Sequence, residues 1–144
     1  MYLDWEQKYE TGIAKIDKQH KQLFDIINKL HKNVIIEKDG SLVNELLLEL
    51  KIFTIDHFST EERVFKKYNY PQEAYHIKSH QNFTKMVSDN LFDVTSTRLV
   101  QGYKILDFLK EWLPGHIIEH DMEYVSFLKK QTGILADIKN DIIF

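Results

Sequence analysis

His57 and Glu61 stand four residues apart in the stretch "HFSTEE", with Phe58 between them. In a helix this spacing places both side chains on one face. On a surface such a pair is ordinary. Turned inward, it must be hydrogen-bonded or metal-bound, because burying it bare costs too much desolvation. Similar groups recur along the chain. His76 and His80 are four apart in "YHIKSH", and His20, His116 and Asp121 each fall in phase with apolar residues. A lone histidine in an apolar stripe is usually a hydrogen-bonded core residue. Five histidines and two carboxylates in one layer are a costly way to fill a core, since every buried polar group needs a partner. Imidazole and carboxylate are donors suited to iron, zinc or manganese. Seven are too many for one ion, and two ions bridged by two carboxylates fit.

Four segments with helical periodicity must position these groups. The first runs Ile13, Ile16, His20, Leu23, Ile27, Leu30, Val34 and ends at "KDGS" (38–41), a turn in which Ser41 is the expected N-cap. The second runs from Val43 through Phe53, His57, Glu61 and Val64 to Tyr68. After "YNYP", Pro71 suits the first turn of the third, which carries His76, His80, Phe83, Val87 and Leu91. The polar "DVTSTR" (93–98) reads as a loop, and the fourth helix continues from Ile105 through His116 and Asp121 to Leu128. Short connections make successive helices antiparallel, so the predicted fold is all-α, an up-down-up-down four-helix bundle. Early positions in one helix then lie level with late positions in the next. All seven groups fall near the same end.

Residues 1–15 read as an arm anchored by Trp5 and Tyr9, residues 16–131 as the bundle, and 134–144 as a short helical tail docked on it, in a single domain. The net charge of −3 is spread over interspersed signs, without the basic footprint of a nucleic-acid partner or a membrane patch. No apolar run approaches the roughly 18 residues of a membrane span, and "MYLDWE" resembles no secretory signal. Cysteine is absent, which removes disulfides and thiolate chemistry and makes a cytoplasmic protein the expectation.

The segments "GIAKIDKQHKQLF", "HFSTEE", "YPQEAYHIKSHQNF" and "WLPGHIIEHDMEY" resemble, in order, the signature segments of hemerythrins, notably the single-domain bacterial type. The resemblance implies reversible dioxygen binding at a non-heme di-iron centre rather than enzymatic turnover. By it, His76, His80 and His116 bind one iron and His20 and His57 the other. Glu61 and Asp121 bridge them, with an oxo or hydroxo group. Counting donors leaves one octahedral position open on the iron held by His20 and His57. Leu23, Phe58, Trp112, Leu113 and Ile117 match the family's apolar oxygen pocket, with core packing as their plain alternative use. A di-iron oxidase or peroxidase is the alternative function, but ferritin-like enzymes use two Glu-x-x-His pairs. This chain has one, Glu73 with His76.

Two features strain the pattern. Pro114 lies two residues before His116, where a kink is expected. His116 and Asp121 are five apart, about 140° around an ideal helix, so their convergence needs local distortion. His120 has a good ligand spacing from His116, and only the family pattern favours Asp121 over it. His31 lies one residue off the stripe and reads as a surface or boundary residue.

Overall fold

The computed structural model describes residues 2–93 and 95–131. The segment 134–144, expected as a docked tail, lies outside the described residues.

Among the described residues, four helical rods form the bundle: α1 (Ala14–His31), α2 (Val43–Lys67), α3 (Glu73–Leu91) and a fourth made of α4 (Arg98–His116), a π turn (Ile117–Asp121) and α5 (Met122–Lys129). Each packs on its neighbours in sequence, and α4 closes the ring on α1. This is the up-down-up-down bundle. Among the described residues, no helix is long and apolar enough to cross a membrane.

The apolar stripes bury two separate clusters. The larger includes Leu23, Ile27, Leu50, Phe58, Phe83, Leu109, Leu113 and Ile117. The smaller contains Ile13, Ile16, Val64, Phe65, Tyr70, Tyr124, Val125 and Leu128. Along α1 the smaller cluster ends at Ile16 and the larger starts at Leu23, with His20 between them. Along the fourth rod, Ile117 and Tyr124 flank Asp121 in the same way. A polar layer divides the core.

The arm is tied to α1 at both ends. Leu3 donates its backbone N–H to Asn28 Oδ1 (2.8 Å) and accepts from Asn28 Nδ2 (2.9 Å). Trp5 and Tyr9 meet Phe24 edge-on, with ring centroids 5.3 and 5.4 Å away. Thr11 donates from its N–H and its hydroxyl to Asp17 Oδ1 (2.9 and 2.8 Å), in the first turn of α1. His31 lies at the boundary, stacked on Tyr2 at 4.1 Å.

Several boundaries differ from the sequence reading. Ser41 does not cap α2; its hydroxyl donates to Asp39, and Leu42 is the N-cap, held by its N–H to Asn33 Oδ1 (3.0 Å). Pro71 precedes α3 instead of opening it, in a turn closed by Glu73 N–H to Tyr70 O (3.2 Å). The loop before α4 ends at Thr97, whose side chain accepts from Val100 N–H, and Arg98 is already helical. A second π turn, Lys32–Ile36, extends α1 and has no counterpart in the sequence reading.

The helix runs on through Pro114, and the irregularity appears beyond it as the π turn, closed by Met122 N–H to Ile117 O. An i to i+5 bond adds one residue to the turn. His116 and Asp121 can therefore share a face despite their spacing.

Candidate metal centre

Each rod delivers its share of the polar layer: His20 from α1, His57 and Glu61 from α2, His76 and His80 from α3, His116 and Asp121 from the fourth. All seven are buried. Three imidazoles form a triangle, with His76–His80, His76–His116 and His80–His116 centroids 4.6, 4.8 and 5.0 Å apart. His20 and His57 form a separate pair at 5.5 Å. The two carboxylates join these groups. Asp121 presents Oδ1 to His76 Nε2 (3.1 Å) and His116 Nε2 (3.2 Å), and Oδ2 to His20 Nε2 (3.0 Å). Glu61 Oε1 lies 3.1 Å from His57 Nε2 and 3.4 Å from His80 Nε2.

These distances are short, yet both oxygens of each carboxylate, both nitrogens of His20 and His80, and Nδ1 of His76 make no hydrogen bond. The Nε2 atoms of His76 and His116 face each other at 3.2 Å. Buried donors and acceptors left in this state are costly. Lone pairs converging from several helices are what a cation requires. Donor atoms of Glu61, His76, His80 and His116 all lie within 4.8 Å of one another, so they can hold a metal ion.

Supporting contacts orient the rings. Gln19 Oε1 accepts from His57 Nδ1 at 2.6 Å, which leaves Nε2 free to face inward. Ser79 Oγ pairs with His116 Nδ1 at 2.7 Å. Tyr124 lies wholly buried beneath the layer; burial, then the charges of Glu61 and Asp121, raise its hydroxyl far above the ordinary value and keep it protonated. None of these three was singled out from the sequence as a site residue. Each is a lone polar residue whose use depends on which helix faces it.

Burial presses the His57 and His76 imidazoles towards neutrality, but the carboxylates beside them prevail and raise both. His116 goes the other way, pushed down to about 4 chiefly by burial. Burial would raise Asp121, but the imidazoles of His116, His20 and His76 hold it well below the usual carboxylate range.

The apolar residues expected around an oxygen pocket border this layer. Leu23, Phe58, Leu113 and Ile117 are buried in the larger cluster. Phe58 stacks on His80 (3.9 Å, 8°), and the half-buried Trp112 stacks on His116 (4.4 Å, 12°). His120 is also buried, with its ring between those of Tyr75 and His116, whereas the oxygens of Asp121 approach the Nε2 atoms of His20, His76 and His116.

The model of the Hemerythrin HHE cation binding domain family matches residues 11–128. This chain belongs to the hemerythrin family. It is 34% identical over 126 residues to the bacteriohemerythrin of Clostridium acetobutylicum, covering 85% of this chain and 98% of that one. The bacteriohemerythrin of Pseudomonas aeruginosa (strain LESB58) is 30% identical over 140 residues, covering 97% and 90%. The hemerythrin-like protein of Naegleria gruberi is 31% identical over 125 residues, covering 87% and 92%. The matched family segment contains all seven residues of the polar layer.

Proposed function

We propose that this hemerythrin-family chain binds dioxygen reversibly at a non-heme di-iron centre, for storage, delivery or sensing of the gas, and is not an enzyme. The observation that carries this reading is the divided set of buried donors: three imidazoles on one side, two on the other, and carboxylates facing both. In this reading His76, His80 and His116 hold one iron, His20 and His57 hold the other, and Glu61 and Asp121 are shared. Support for sharing comes from Asp121, whose two oxygens approach opposite histidine groups. When bound there, a di-iron pair would supply the redox chemistry needed for reversible dioxygen binding.

The chain's own residues do the rest. Gln19 and Ser79 fix the ring orientations of His57 and His116. Leu23, Phe58, Leu113 and Ile117, with Trp112 at the edge, surround the layer with apolar surface. That apolar lining against the layer favours binding over turnover.

The test is an optical spectrum of the purified protein with its iron content, taken reduced under inert gas, then in air, then degassed. Two irons per chain and visible absorption that appears and disappears reversibly are expected. A colourless zinc protein, or oxygen consumption that depends on an organic substrate, would overturn the reading. For the ligand assignment, Asp121→Ala loses iron and His120→Ala retains two per chain. The reverse result would exchange their roles.

A further inference from the structure

A hollow of about 340 Å³ opens on the surface of the fourth rod beside α3, and His116 forms part of its wall. Its lining also contains Ser79, Glu111, Trp112, Glu119 and His120. Glu111 and Glu119 are exposed at the rim, and no lysine or arginine lines the hollow. Gly115 lies between them along the helix, and a Cβ added there would meet nothing within 4 Å, so the space in front of it is open.

His120 lies within the hollow: the residue is only 8% exposed, and among the described residues its ring makes no hydrogen bond or ion pair. A polar ring so buried normally has a partner. Its ring centroid is 5.1 Å from that of His116 and 5.4 Å from that of His76. Carboxylates at the rim, one unpartnered imidazole within and the triangle of imidazoles behind it form a graded series of donors. A hydrated divalent cation meets hard oxygen donors first and exchanges water for nitrogen as it goes inward.

A second hollow, of about 410 Å³ between α2 and α3, reaches His80, but Lys85 stands in its lining beside Glu62. Its ammonium is paired with Asp89 at 2.7 Å, and Glu62 is the one acid lining this hollow against two in the first. The first hollow has acid without base.

Resting on the di-iron reading above, we infer that the first hollow is the intake port for divalent iron: Glu111 and Glu119 gather the cation, and His120 is its transient ligand on the way to His116 and His76. No covalent or redox step is involved. His120 is thus a loading residue, outside the resident ligand set.

The experiment mixes metal-stripped full-length protein with ferrous iron under inert gas and follows uptake by rapid quenching into a chelator. Three variants accompany the parent: the pair Glu111→Gln and Glu119→Gln, the single His120→Ala, and a control pair Glu45→Gln and Glu49→Gln on the exposed face of α2. Uptake is expected to slow about tenfold in the first two, as loss of local focusing does for charged ligands. Both still reach two irons per chain, and the control keeps the parent rate. Added salt slows the parent more than the Glu111 and Glu119 pair. If the parent takes up two irons and either port variant fills as fast, the port assignment fails while the di-iron reading stands. It fails equally if the control slows to the same degree, which makes net charge the cause, or if His120→Ala ends with fewer than two irons. A parent that never takes up two irons sinks the di-iron reading itself.

Discussion

The carboxylates beside His57 and His76 favour the protonated rings, so a metal competes there with protons. Burial opposes their charge, but Glu61 beside His57 and Asp121 beside His76 raise both above the ordinary 6.5. A raised histidine binds more protons folded than unfolded, so its contribution is complete below the ordinary value and is lost as pH rises through the folded one. His116, lowered to about 4, has the opposite sign and costs stability as pH falls from the ordinary value towards 4. The lowered Glu61 and Asp121 contribute above the ordinary carboxylate range and lose that contribution as pH falls through their folded values. The thermal midpoint of metal-stripped protein should therefore fall as pH rises above the ordinary histidine value. The loaded protein should not follow it, because metal replaces the protons. Loading at neutral pH should also release protons, measurable by calorimetry in buffers of different ionisation heat. Absence of proton release would mean that neither ring is protonated beforehand. Six of the seven groups were legible in the sequence because each interrupts an apolar stripe of known period; Asp121, five residues from His116, was preferred to His120 only through the family resemblance. Gln19 and Ser79 were not, since each gains its meaning only from a ring on another helix.

Two π turns shape the elements, and only one could be read in advance. The five-residue interval from His116 to Asp121 demanded a distortion, and the turn at Ile117–Asp121 provides it. Nothing in "KNVII" marks the turn at Lys32–Ile36, which packs against α4. There Gly102 allows close approach: a Cβ at this position collides with the side chain of Val34, which is wholly buried. Gly102→Ala should therefore destabilise the loaded protein. Overpacking costs about 1–3 kcal/mol, offset by about 1 kcal/mol of helix propensity. A net loss of up to about 2 kcal/mol in urea unfolding is expected, with two irons retained, since Gly102 belongs to neither the donor layer nor the port. A stabilised variant would show that Val34 moves aside freely. The four rods themselves were legible from periodicity. Their ends were less so, because Ser41 and Pro71 suit a helix start but the chain turns differently at each, through Asn33 and through Tyr70.

At the scale of the whole molecule, the polar layer separates two apolar clusters that cannot touch through it. The smaller cluster has Ile13, Ile16, Val64, Phe65, Tyr70, Tyr124, Val125 and Leu128, and relies on the layer for its link to the larger one. Without metal, the orphaned atoms of His20, Glu61, His80 and Asp121 remain. Each such group costs about 1–3 kcal/mol, so several together rival the roughly 5–15 kcal/mol that holds a domain folded. Metal removal should then act locally. Hydrogen exchange compared between loaded and stripped protein should show the largest gain at the start of α1, the end of α2, the start of α3 and in α5. The distal parts around Leu30, Leu47, Val87 and Ile105, all within the larger cluster, should change least. If exchange rises equally throughout, the two clusters behave as one cooperative core and the layer is no internal boundary. If the small-cluster end stays protected, its apolar contacts hold it without metal. The gradient expected here requires the layer to act as the joint between them, with the metals as its fastening.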